Sequence, residues 1–366
     1  MRQAGAIPNQ IISELIDNGC IRTEAPIPDS NIQPASLDLR LGTQAWVVKA
    51  AFLPVRNEPI AHALDRYAIA SLDLSNPTTL HVDQTYVVQL AESFSLPSTV
   101  NVYTNNKSST GRMNVWVRTL VDGLPRFDLI PYGYQGHAYV MVTPRSWPIR
   151  VQAGCTLNQA RLLVGDNHLL DLELNMLNDQ VGLVFDQNGH RQTPIIDRGL
   201  LLTVNLAQDT VGYEAIPCST PVDLTSTQPQ NGSDYFRRII AVNGEVTLKK
   251  HRFYILSTKE YLRVPPTYAV EMVAYDIHSG EYRSHYAGFF DPGFGYGLQG
   301  ELQGTPAVLE LDTHEDVVFR DGQPICKMVY EYLVKQPEKT YGQGLGSHYQ
   351  NQRGPQLGKN FTLPED

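Results

Sequence analysis

LAESFSLPSTVNV, residues 90–102, returns later in the chain as LSTKEYLRVPPTYAV, residues 256–270, and the fold follows from that return. Both stretches run strand, acidic turn, apolar residue, proline and next strand. At a constant offset of 168, Tyr86 answers to Tyr254, Glu92 to Glu260, Pro97 to Pro265 and Gly154 to Gly322. The opening strand recurs as well: LDLRL (37–41) reads against LTVNL (202–206), at an offset of 165. Self-similarity at a long fixed period marks one structural unit used twice. In LDLRL the leucines alternate with Asp38 and Arg40, the period of a half-buried strand. Further strand-like runs stand at 86–90, 100–104, 113–121, 138–142 and 149–151, separated by Pro, Gly, Ser and Asn turns. Such a pattern predicts an all-β chain of two tandem β-barrel, jelly-roll-like domains with few short helices. The expected divisions are 1–168 and 169–335, parted at the polar run Asp166-Asn167-His168, with 336–366 as a flexible C-terminal segment. Ile7, Ile11, Ile12, Leu15 and Ile16 fall at helical spacing and predict a helix over 7–19, the one substantial helix of the first half.

Composition narrows the function. A length of 366 residues suits two domains with their own cores, and 24 prolines with 28 glycines favour strands and turns over long helices. The net charge of -9 makes nonspecific nucleic-acid binding a poor expectation, so an anionic ligand needs a local cationic cluster. Cys20, Cys155, Cys218 and Cys326 lie far apart without a C-x-x-C pair, which predicts neither structural zinc nor a disulfide framework. A reducing, cytoplasmic location is expected. There is no apolar run of membrane-spanning length and no signal-peptide pattern, so no membrane association is expected.

The cationic cluster is Lys107-Ser108-Ser109-Thr110-Gly111-Arg112, preceded by Asn105 and Asn106. Hydroxyls and the backbone N–H groups around a glycine can wrap phosphate oxygens while lysine and arginine neutralise charge. Taken alone, such a run also fits a solvated turn. Comparing the two copies adds a second observation. The matching place in copy two, YDIHSG (275–280), lacks the serine pair and the closing arginine. Copy two instead carries AGFFDPGF (287–294) and the strand AVLEL (307–311), whereas copy one has no carboxylate between Asp128 and Asp166. One copy therefore holds the anion grip and the other the acids, which predicts a site built from both. Glu310 could face solvent, as alternation with Leu309 and Leu311 allows, or a closed pocket where its pKa would rise. Asp291 could cap a turn or touch a ligand. The tail is rich in Gly, Gln, Asn and Pro, a composition of disorder, yet Tyr341 and HYQNQRG (348–354) suit a lid over a nucleotide.

Together IQPASLDLRLG (32–42), KSSTGR, AGFFDPGF, VLEL and Tyr341 followed by HYQNQRG resemble the dCTP deaminases, which share the trimeric dUTPase barrel fold. The motifs are spread over both halves, so the chain resembles a duplicated, double-length member with dUTPase-like domains. The resemblance implies that Lys107, Ser108, Ser109 and Arg112, with Thr110 and Gly111 in the same run, contact the triphosphate and the reacting water. It implies Glu310 as general base and proton shuttle, with Ser108 and Arg112 beside it in catalysis. Asp291 would hold the deoxyribose or base, Val308 and Leu309 would offer backbone to the cytosine, and Tyr341, His348 and Gln352 would close over sugar and phosphates. His348 departs from the lysine usual in the family. A homo-oligomer is implied as well.

Cytosine deamination with zinc uses H-x-E and P-C-x-x-C. P-C-x-x-C is missing here, so a zinc-independent reaction of dCTP with water to dUTP and ammonia is expected. Magnesium is expected on the substrate's phosphates and not in a protein cage. Two rival readings remain at this point. One is a dUTP diphosphatase, or a bifunctional enzyme, with Asp291 activating water. The other is a non-catalytic nucleotide-binding protein of the same fold.

Overall fold

The protein, described by a computed structural model over residues 4–275, 282–284, 288–297, 299–342, 349–350 and 352–363, is built mostly of strands. In the first half Thr156–Val164 runs antiparallel between Val100–Asn106 and Ser36–Val48. The far end of Ser36–Val48 pairs with Thr85–Ser95, which pairs with Gln135–Pro144, and that strand in turn pairs with Val115–Val121. Because the 13-residue Ser36–Val48 strand belongs to both ladders, the sheet curls into a near-barrel.

The second half repeats these ladders. Leu162 faces Val102 and Tyr330 faces Val270; Val164 faces Val100 and Tyr332 faces Tyr268. Both strands of the pair are shifted by 168, so the repeat seen in the letters is a repeat of register. Even a small device recurs: the His81 N–H donates to the Tyr86 hydroxyl at 2.9 Å, and the Lys249 N–H to the Tyr254 hydroxyl at 2.8 Å. One alignment needs correction. Leu37 faces Ala160 while Leu200 faces Met328, which makes the opening-strand offset 163 and not 165. Arg40 and Thr203 then hold one place, each giving its backbone N–H and side chain to a glutamate, Glu92 at 2.9 and 2.7 Å and Glu260 at 2.8 and 2.7 Å. A slip of two residues leaves every leucine on its own face, so alternation could not separate the two alignments.

The first helix covers Asn9–Asp17, inside the predicted span. A second helix in that half, Ile60–Tyr67, corrects the expectation of only one. Pro59 precedes it and Ile60, Ala63 and Leu64 make its buried stripe. Two main cores result. One belongs to second-half residues from Leu169 to Tyr330. The other fills the first near-barrel and also takes in Tyr235, Phe236, Val308, Leu357 and Phe361, so the two halves are joined by shared apolar packing. Phe361 meets Trp147, Tyr235 and Phe236 edge-on or tilted, with ring centroids 5.1 to 6.0 Å apart. Burying one such ring contributes roughly 2 kcal/mol. That anchors a segment otherwise poor in apolar residues, and the described tail residues pack down accordingly. The Gln230 N–H donates to the Asn360 carbonyl and the Thr362 N–H to the Gln230 carbonyl, both at 2.8 Å. Among the described residues no helix is long and apolar enough to cross a membrane.

Candidate active site

Lys107 ends the Val100–Asn106 strand, and its carbonyl accepts from the Thr110 and Gly111 N–H groups at 2.8 and 2.9 Å. That tight turn aims Ser108, Ser109 and Arg112 into a cavity of about 350 Å³. Thr110 and Gly111 are buried in the turn itself and do not border the cavity. From the opposite side comes the Thr305–Thr313 strand. Leu309 and Leu311 enter the second core, and alternation turns Val308 and Glu310 the other way, into the cavity. Glu310 is 1% exposed, which excludes the solvated-face reading.

The Glu310 Oε1 lies 3.6 Å from the Arg112 Nε, with both side chains buried. Arg112 also donates to the Gln356 carbonyl at 3.1 Å and stacks its guanidinium 3.8 Å from the Tyr349 ring centre. The other carboxylate oxygen of Glu310, Oε2, is buried without a hydrogen-bond partner. Burial pushes the Glu310 pKa up to about 8, with Arg112 pulling the other way. Such a group sits with a proton at neutral pH and can exchange it with whatever enters the cavity.

Asp291 lies in the same cavity and is 8% exposed, its Oδ1 again lacking a hydrogen-bond partner. Burial raises its pKa to about 6, opposed by Arg161. Tyr341 donates its backbone N–H to the Pro292 carbonyl at 2.8 Å and packs on Phe294, ring centres 5.5 Å apart. Gln352 bridges the halves: its Nε2 donates to the Pro306 carbonyl at 2.7 Å, and its Oε1 accepts from Arg112 at 3.4 Å. His348 lies outside the described residues, as do residues 276–280 of the YDIHSG segment and Ala287.

Several lining residues were missed. Asp38 pairs with Lys107, whose Nζ also donates to the Thr156 hydroxyl at 2.8 Å. The alternation in LDLRL placed Asp38 opposite its leucines, a signal that was available. Lys359, Tyr349 and Gln159 also border the cavity. They sit in segments whose packing only tertiary structure reveals.

Glu310 and Met141 occupy matching registers, Glu310 facing Ile255 and Met141 facing Val87. Met141 is buried with Ile60 and Leu64 of the unforeseen helix, so the equivalent place in the first half is filled by apolar side chains.

Residues 3–166 match a family model described as the 2'-deoxycytidine 5'-triphosphate deaminase N-terminal domain, and residues 170–361 one described as its C-terminal domain. Similarity to a solved structure, the crystal structure of 2'-deoxycytidine 5'-triphosphate deaminase from Agrobacterium tumefaciens, reaches 36% identity and a TM-score of 0.88. It covers 94% of this chain and 100% of that one. The chain is 26% identical over 145 residues to a Streptomyces coelicolor protein named "dCTP deaminase, dUMP-forming", covering 39% of this chain and 72% of that protein. A Bifidobacterium longum protein of the same name is 31% identical over 112 residues, 30% of this chain and 54% of the relative.

Proposed function

The chain belongs to the 2'-deoxycytidine 5'-triphosphate deaminase family, and from that premise we propose that it hydrolyses dCTP to dUTP and ammonia, with Glu310 moving the protons. The observation that carries this reading is the buried Glu310 carboxyl, one oxygen unpartnered and the other beside Arg112, in a cavity whose far wall holds Lys107, Ser108 and Ser109. The two halves act as tandem dUTPase-like domains, 1–168 and 169–335, and 336–366 closes over the cavity.

In this reading the lysine and serine wall, with Lys359 from the tail, takes the triphosphate. Asp291 and Tyr341 hold the sugar, and the backbone at Val308 and Leu309 meets the cytosine edge. Protonated Glu310 gives its proton to N3, which makes C4 electrophilic. The resulting carboxylate takes a proton from water as the water oxygen bonds to C4. That proton passes to the 4-amino nitrogen; the C4–N bond breaks, the new hydroxyl returns its proton to Glu310, and ammonia departs. N3 keeps its proton, so the product is uracil and the acid is regenerated. Arg112 and the Ser108 hydroxyl stabilise charge on the attacking oxygen. Among the described residues no three His, Cys, Asp or Glu side chains stand together as a metal cage, whereas the hydroxyl and lysine wall suits phosphates that bring their own magnesium. Magnesium on those phosphates would neutralise part of their charge.

The relatives named dUMP-forming, with a buried Asp291 in the same cavity, favour a second reading in which dUTP is carried on to dUMP. Incubation with dCTP and magnesium, followed by product separation, decides. Ammonia with dUTP supports the first reading, ammonia with dUMP and pyrophosphate the second, and unchanged dCTP refutes both.

The pH dependence follows from the two carboxyls. Asp291 must be ionised to hold the sugar, so kcat/KM should rise as pH climbs through about 6. Glu310 must bring a proton, so kcat/KM should fall as pH climbs through about 8. A profile that rises through 8 would mean that the carboxylate is the starting form.

A further inference from the structure

Arg161 is fully buried, belongs to the first half, and reaches across to the loop that carries Asp291. Its Nη2 donates to the Phe290 carbonyl at 3.3 Å and lies 3.7 Å from the Asp291 Oδ1. Its Nη1 donates to the Val270 carbonyl at 3.0 Å and to Glu331 at 2.6 Å, and its guanidinium stacks 4.2 Å from the Phe289 ring centre. Asn167, at the junction of the halves, donates to the other oxygen of Glu331 at 2.8 Å. Arg161 thus touches the residue on each side of Phe290's peptide and the second-half strand beneath it. The matching register position in the second half is Val329, facing Glu271 as Arg161 faces Tyr103, so the cation is peculiar to the first copy.

A buried guanidinium is destabilising in lost hydration unless its hydrogen bonds are met. Here Nη1 is met by Val270 and Glu331 of the strands beneath, while Nη2 and the face of the guanidinium are turned to one short segment, the Phe290 carbonyl, the Phe289 ring and the Asp291 carboxylate. We propose that Arg161 is the positioning residue for Asp291: a cation lent by the first half that sets the place and charge of the carboxylate offered to the substrate's sugar. The inference rests on the proposed deaminase reading. Asp291 is faced by Arg161 from the Thr156–Val164 strand, by Asp38 from Ser36–Val48, by the Ala35 N–H and by Tyr341 from the tail. Of these only Arg161 is a cation, and it alone opposes burial by charge.

Arg161→Gln and Arg161→Lys, each compared with the unmodified protein, test this. With glutamine the KM for dCTP should rise about tenfold or more while kcat changes less, since displacement of a contact group by a fraction of an ångström is felt strongly. Its acid limb should also move to higher pH, because Asp291 loses the cation that favours its ionised form. Lysine keeps the charge but cannot serve the Val270 and Phe290 carbonyls and Glu331 together. It should hold the acid limb near its original place while KM still rises. A glutamine variant with wild-type KM and an unmoved acid limb overturns the inference. If that variant does not fold, the lysine variant decides alone, a wild-type KM counting against and a raised KM with an unmoved limb in favour. Turnover by the unmodified protein tests the deaminase reading separately.

Discussion

Glu310→Gln is expected to lower ammonia release from dCTP by about 10²- to 10⁴-fold, the range that a positioned acid/base group contributes. Binding of dCTP, read by calorimetry, should persist, because the phosphate and sugar contacts lie on other residues. The glutamine is nearly the same size and can fill the buried place without a cavity. Stability also separates loss of chemistry from loss of fold. The unfolded glutamate ionises near 4.5 and the native one near 8, so the native state holds a proton that the unfolded chain releases between those values. Stability from this group therefore falls as pH rises through that window. Glutamine does not titrate, so the variant's Tm at pH 8 should equal or exceed that of the unmodified protein. Near-normal turnover in a folded variant would remove Glu310 from the mechanism.

Arg112→Met should be the more damaging change to the molecule as a whole. Breaking a buried ion pair commonly costs about 3–5 kcal/mol because a charge is stranded. Here Glu310 already carries a proton at neutral pH, so little charge is stranded and that cost shrinks. The lost hydrogen bonds to the Gln356 and Leu357 carbonyls and to Gln352, at 3.1, 3.5 and 3.4 Å, weigh more. With roughly 1.5–3 kcal/mol for a charged hydrogen bond, the tail loses much of its grip on the cavity. Glu310 would also be pushed higher still. The expected outcome is a fall in kcat/KM of about 10²-fold or more, a lower Tm and faster tryptic cleavage at the exposed Arg353. Unchanged protease resistance would show that Arg112 does not hold the tail.

How legible the site was depends on which pattern carried each residue. The strand repeat and the split of acids from cations were readable because both are matters of residue type at fixed spacing. The face of Glu310 was not, since Leu-Glu-Leu alternates identically whether the glutamate meets water or the other half. The 165 offset failed for the same reason: a period of two cannot register a slip of two. The Ile60–Tyr67 helix was overlooked because its apolar stripe is only three residues, and it matters because it covers Met141. Arg161 gave no signal at all, being one arginine in a strand whose partner loop lies about 130 residues away.

The mooring of Phe361 among Trp147, Tyr235 and Phe236 has a thermodynamic consequence for substrate capture. Tyr341 is tied to the Pro292 carbonyl, and Phe361 is held in the first core, so the described tail is moored at both places. At those moored residues, part of the entropy that a loose end would forfeit on meeting a ligand has already been surrendered during folding. Affinity should then depend on the integrity of an aromatic clasp on the far side of the first half, well away from any phosphate.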